Sequence, residues 1–125
     1  LDDHTVANRL DSIGVCTVSK MYCGTTYEGD DFDNDKIEIV PMLSAGETAY
    51  YRLAISYEGD QYKVRKVTTE TVRVYYFDTT GTLQETTLDT YIQDSDIDTD
   101  DPYIYISITA EAAMISSEKV VFERA

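Results

Sequence analysis

The 125-residue chain sets 10 Lys and Arg against 24 Asp and Glu, a formal net charge of −14. That length suits a single domain whose core needs no staple, and that charge works against phosphate backbones and anionic membrane surfaces as partners. No apolar run approaches the roughly 18 residues of a membrane helix, and no signal-peptide pattern is seen.

The 11 Tyr, abundant Thr and absence of Trp point to strands with amphipathic faces. The chain begins at Leu1 rather than Met and is read as having lost a leader or anchor. The composition favours an exported protein over a cytosolic one.

Asp2–Ile13 reads as a helix end. Val6, Leu10 and Ile13 form a narrow apolar stripe, Asp2 and Asp3 suit a first turn, and Gly14 suits the position past the C-terminus. A helix of about 13 residues is marginal alone, so it is expected to pack on a sheet. Cys16 and Cys23 have opposite strand parity, and in one helix they would lie about 10.5 Å apart along the axis. A bond between them therefore needs a bend near Ser19–Met21. A small disulfide-closed loop is expected after export; in a cytosolic protein both are free thiols.

Glu28, Asp30, Asp31, Asp33 and Asp35 make a first acidic segment. Ile37, Ile39 and Leu43 then alternate with Glu38, Val40 and Met42, and Pro41 limits that strand to an edge or a short piece. In Tyr51, Leu53, Ile55 and Tyr57 the alternation is strict. Gly59-Asp60 suits a two-residue hairpin turn, which would pair Tyr57 with Tyr62, Ile55 with Val64 and Leu53 with Lys66. Arg52, Lys63 and Arg65 would then line a wet face. Thr71–Asp78 has apolar residues on both parities and is placed centrally. Asp78-Thr79-Thr80-Gly81 reads as a type I turn closed by glycine.

Leu83–Ile92 reads as a weak strand or two fragments. Asp94, Asp96, Asp98, Asp100 and Asp101 form a second acidic segment, stopped by Pro102. In Tyr103–Ala110, Ile104, Ile106 and Ile108 face a core, while Tyr105, Ser107 and Thr109 face away. On that parity Tyr105→Asp should cost far less than Ile106→Asp. Glu111–Glu118 is a connection with one helical turn around Ala112–Met114, and Lys119–Arg124 closes the sheet with Val120 and Phe122 inward.

Candidate chemistry is sparse. Asp31, Asp33 and Asp35, and likewise Asp94, Asp96 and Asp98, carry the alternating carboxylates that converge on calcium in some loops. Lys36 and Thr99 stand where an EF-hand needs glycine, and the twelfth-position Glu is missing. Solvated acidic loops are therefore the preferred reading, and no metal or other cofactor is expected. Ser116 and Lys119 have S-x-x-K spacing without the S-D-N and K-T-G that should accompany it. His4 is the sole histidine, too few for a His-based triad or a zinc site beyond three ligands with the cysteines. Nothing singles out a carboxylate pair for glycoside hydrolysis. The chain is read as not an enzyme.

The order of a helix end, loops, an antiparallel sheet, Tyr103–Ala110 and a last strand ending Phe122-Glu123-Arg124 resembles the soluble part of type IV pilin-like proteins. Minor pilins and type II secretion pseudopilins are the nearest in layout. The resemblance implies an α+β fold, with an N-terminal helix packed on an antiparallel β-sheet. It also implies a structural subunit of a pilus or pseudopilus, other pilin-like subunits as partners, and attachment at the cell surface through an N-terminal helix absent here. No residue role carries over. The residues themselves suggest one domain over 1–125, with a helix end at 1–14 and mainly antiparallel β at 15–125. The rival expectation is a β-rich adhesin or carbohydrate-binding module at the cell surface, using the acidic loops and calcium.

Overall fold

The computed structural model describes residues 25–56 and 58–125. Nine strands occur in it: β1 Thr25–Tyr27, β2 Lys36–Ile39, β3 Thr48–Ala54, β4 Gln61–Val67, β5 Thr71–Phe77, β6 Leu83–Thr86, β7 Ile92–Gln93, β8 Tyr103–Thr109 and β9 Lys119–Arg124. They form two sheets, ordered β1-β3-β8-β5-β6 and β2-β9-β4-β7. All pairings are antiparallel except β1 with β3, which is parallel.

This corrects the α+β expectation of a helix packed on one antiparallel sheet. The described residues contain no helix of seven residues or more, and they form a two-sheet β structure. The predicted helix Asp2–Ile13, the Cys16–Cys23 loop and His4 lie outside the described residues, as does Tyr57. The physical reason is that two separate sets of strands each have one continuous apolar face. Ala49, Tyr51, Leu53, Val72, Val74, Ile104, Ile106 and Ile108 supply one face; Ile37, Ile39, Tyr62, Val64, Ile92, Val120 and Phe122 supply the other. All of them belong to a single core cluster, so each sheet's apolar face is covered by the other.

The expected hairpin across Gly59-Asp60 is likewise corrected. β3 pairs with β1 and β8, and β4 pairs with β9 and β7, so the connection crosses from one sheet to the other. Gly59 does take positive φ, +83°. The register differs because Pro102 O accepts the Ile55 N–H at 3.0 Å. The carboxylate of Asp94 accepts the N–H groups of Gly59 and Asp60 at 2.7 and 3.1 Å. Donors that a two-residue hairpin would pair across its strands are thus satisfied by two other segments.

Several local expectations hold. β2 is an edge strand that stops before Pro41. β5 is an internal strand, buried on both faces at Val72, Val74, Tyr75 and Phe77. Gly81, at φ +77°, closes the β5–β6 turn, and its N–H reaches Asp78 O at 2.8 Å. Leu83–Ile92 yields two fragments, β6 and β7, one in each sheet. Residues 111–118 contain turns and no helix, and Met114 is buried.

The outer face of the β3-β8-β5 layer is not the wet surface that alternation suggests. Tyr50, Tyr75, Phe77 and Tyr105 form a second cluster there, with Leu83 and Tyr103 packed on it. Phe77 and Tyr105 meet edge to face, centroids 6.0 Å apart at 90°.

Candidate functional site

The strand registers give the sandwich two chemically different ends. β1, β3, β5 and β9 finish at one end, and β2, β4, β6 and β8 start there. Both acidic segments sit at that end. Asp31, Asp33 and Asp35 lead into β2, while Asp94–Asp101 joins β7 to β8 and contacts the β3–β4 crossover and the end of β5.

The first segment is tied down by its own backbone. Gly29–Asp31 is a 3-10 turn, in which Asp31 Oδ2 accepts the Glu28 N–H at 2.8 Å. Asn34 and Asp35 take positive φ, 53° and 61°, between the bridged residues Asp33 and Lys36. Both residue types tolerate that region better than most. Asp35 pairs with Arg124 at 3.1 Å, and the Arg124 guanidinium lies over the Phe32 ring at 4.3 Å. Asp31, Asp33, Asn34, Lys36 and Glu38 line an open surface depression of about 440 Å3.

The second segment divides its carboxylates between framework and solvent. Asp94 and Asp101 are buried; Asp96 and Asp100 are exposed. Asp94 holds the β3–β4 crossover, Asp101 accepts the Tyr105 hydroxyl, and Asp98 accepts the Asp100 N–H at 3.0 Å. Burial, and secondarily the bond to Asp101, pushes the Tyr105 phenol well above its ordinary value. Nearby, Asp78 collects the Thr80 hydroxyl at 2.6 Å, the Gln84 amide at 2.8 Å and the Thr82 N–H at 3.1 Å. Those bonds, the Thr80 hydroxyl first, hold its carboxyl down at about 2.

The fold therefore brings Asp31, Asp33, Asp35, Asp94, Asp96 and Asp98 to one end without assembling them. Among the described residues, no group of three or more His, Cys, Asp or Glu is placed to hold a metal ion. The partners explain this: Asp31, Asp35, Asp94 and Asp98 already accept protein donors, and four backbone N–H groups are among them.

The S-x-x-K pair does not form a helical turn. Glu118 N–H bonds Ile115 O at 3.0 Å in a turn, Ser116 is exposed and Lys119 pairs with Glu38 at 3.0 Å.

Of the three cations expected on a wet face, one is misplaced. Lys63 and Arg65 do lie on the outer face of their sheet, half-buried and paired with Glu123, whose carboxyl the Arg65 bond lowers. Arg52 is only 3% exposed. Its Nε donates to Thr26 Oγ1 at 2.6 Å, its guanidinium stacks 3.9 Å from the Tyr103 centroid, and Nη1 has no hydrogen-bond partner. The available signal was Tyr50, Tyr103 and Tyr105, three aromatics on parities assigned to solvent, beside Tyr75 on a strand read as buried on both faces.

No protein-family model matches the chain, and no curated protein matches it.

Proposed function

We propose that the chain is a non-catalytic structural module of an extracellular, cell-surface assembly, displayed with its acidic end outward. The observation that supports this most directly is the polarity of the sandwich. One end gathers both acidic segments, and the other gathers exposed apolar side chains. Concentrated negative charge resists adhesion of like surfaces and keeps a displayed end soluble. Exposed apolar side chains at the far end suit burial against neighbours.

The pilin-like reading of the sequence depended on a helix-on-sheet layout. With two sheets, a β-rich surface module becomes the better version of the same non-catalytic role. The acidic end is read as solvated charge, because its loop carboxylates are largely committed to loop backbone and to Arg124.

Protease treatment of intact producing cells, followed by detection with an antibody raised against the folded domain, tests the reading. Loss of the signal from intact cells is expected. Recovery of the whole protein, protected, in the cytosolic fraction overturns it.

A further inference from the structure

We infer that the peptide bond between Asp101 and Pro102 is a self-cleavage site, with the Asp101 carboxylate as its nucleophile. The chain has 2 Pro; one follows Val40 and the other follows Asp101, so it contains one Asp-Pro bond. A carboxylate one methylene from its own carbonyl carbon closes a five-membered ring when it attacks. The tertiary amide nitrogen of proline is also a more basic leaving group than an ordinary amide nitrogen. Such a bond is weak toward acid in any chain, and here the fold adds to that weakness.

Three features converge on the bond. Asp101 O accepts the Tyr103 N–H at 2.8 Å, in a three-residue turn centred on Pro102. That donor polarises the scissile carbonyl and already sits where negative charge develops on its oxygen. The Asp101 side is held as well. Its N–H bonds Asp98 O at 3.1 Å, and its side chain, 6% exposed, accepts the Tyr105 hydroxyl. Burial leaves the carboxylate poorly hydrated, which strengthens it as a nucleophile. The leaving side is anchored from the other direction, since Pro102 O accepts the Ile55 N–H at 3.0 Å and β8 begins at the next residue. The polar groups around the site are Tyr105 on β8, Arg52 on β3 acting on the Tyr105 hydroxyl, and Asp98 and Asp100 in the loop; β5 presents Phe77 there.

The step balances with water as its one co-reactant. A carboxylate oxygen of Asp101 bonds to the Asp101 main-chain carbonyl carbon, the carbon–nitrogen bond to Pro102 breaks, and the nitrogen takes a proton from solvent. The cyclic anhydride left on Asp101 adds one water and opens to two carboxyl groups. The products are residues 1–101 and residues 102–125, the second beginning with a prolyl amine. They stay together, because β8 keeps its ladders with β3 and β5, and β9 keeps those with β2 and β4. The outcome is a nick at the acidic end of a sandwich whose strands remain paired. The reaction is a single turnover of the chain on itself and does not depend on where the protein is displayed.

The test is incubation of the purified chain at about pH 5, where Asp carboxylates are ordinarily ionised, with circular dichroism confirming the fold. Denaturing mass spectrometry should show two fragments that meet between Asp101 and Pro102 and together weigh one water more than the chain. Gel filtration should still show one species. The rate should be first order, independent of protein concentration, and at least about tenfold faster in the folded protein than in concentrated urea at the same pH. Asp101→Asn and Pro102→Ala should each abolish the fragments. If Asp101→Asn unfolds the domain, Pro102→Ala decides alone, since it leaves the Asp101 side chain and its Tyr105 partner in place. Cleavage as fast in urea as in buffer overturns the proposal, because it leaves only the ordinary weakness of an Asp-Pro bond. So does a chain that stays intact, and so do fragments that persist in Pro102→Ala.

Discussion

Tyr105 lies on the face of β8 that alternation assigns to solvent, yet it is 2% exposed, as closely buried as Ile106 at 1%. Its ring meets Phe77 edge to face, and its hydroxyl donates to the buried carboxylate of Asp101. An aspartate at either position puts an unpaired charge in an apolar cluster, and a domain has only about 5–15 kcal/mol to lose. Ile106→Asp and Tyr105→Asp are both expected to leave the protein unfolded at room temperature, contrary to the ranking that strand parity suggests. Tyr105→Phe removes one hydrogen bond to a charged group and should cost about 1.5–3 kcal/mol. Circular dichroism melts and urea titrations of the three variants check this; a Tyr105→Asp variant melting near wild type would show the outer cluster to be dispensable.

Strand assignment succeeded where one face of a segment was apolar and failed where the partner had to be chosen. β8 and β9 lie within a residue of expectation, and the inward set Ile104, Ile106, Ile108, Val120 and Phe122 is buried as read. The β3–β4 segment has the local pattern of a hairpin but crosses between sheets instead, and Asp94, 34 residues from Asp60, secures it. Glycine at a turn permits a reversal; it does not say which sheet the next strand joins. Asp94→Ala would leave the N–H groups of Gly59 and Asp60 without their acceptor, at about 1–3 kcal/mol for each donor that stays buried. The expected result is a lower denaturation midpoint together with faster hydrogen exchange at those two amides. Unchanged exchange there would mean that the crossover is held by the strands alone.

At the scale of the whole molecule, both acidic segments lie at one end, and four of the five exposed large apolar side chains among the described residues lie at the other. Repulsion within the acidic end opposes compactness and is relieved by screening. Calcium in low millimolar amounts should therefore raise the melting temperature no more than sodium chloride of equal ionic strength. A site-bound ion would add stability as RT ln(1 + [L]/Kd). Melts in calcium and in chelator at constant ionic strength decide the matter. A calcium-specific rise of several degrees, abolished by Asp96→Asn with Asp98→Asn, would restore the acidic loops as a metal site.

Local rules acting alone were enough for most strand-forming segments after β1, the Gly81 turn, the edge character of β2 and the apolar parity of β8 and β9. Period-two burial, positive φ and proline's missing donor depend on a few neighbouring residues, and those are legible in order along the chain. The pairing of β1 with β3, the division into two sheets and the burial of Arg52 and Tyr105 were not legible. Each depends on which apolar faces meet and on donors and acceptors far apart in sequence. The carboxylates show the same division. Their spacing as Asp31-x-Asp33-x-Asp35 and Asp94-x-Asp96-x-Asp98 was plain from the start. That Asp94 would serve a distant turn, while Asp96 stayed in water, followed only once β4 and β7 had paired and set the loop against Gly59 and Asp60.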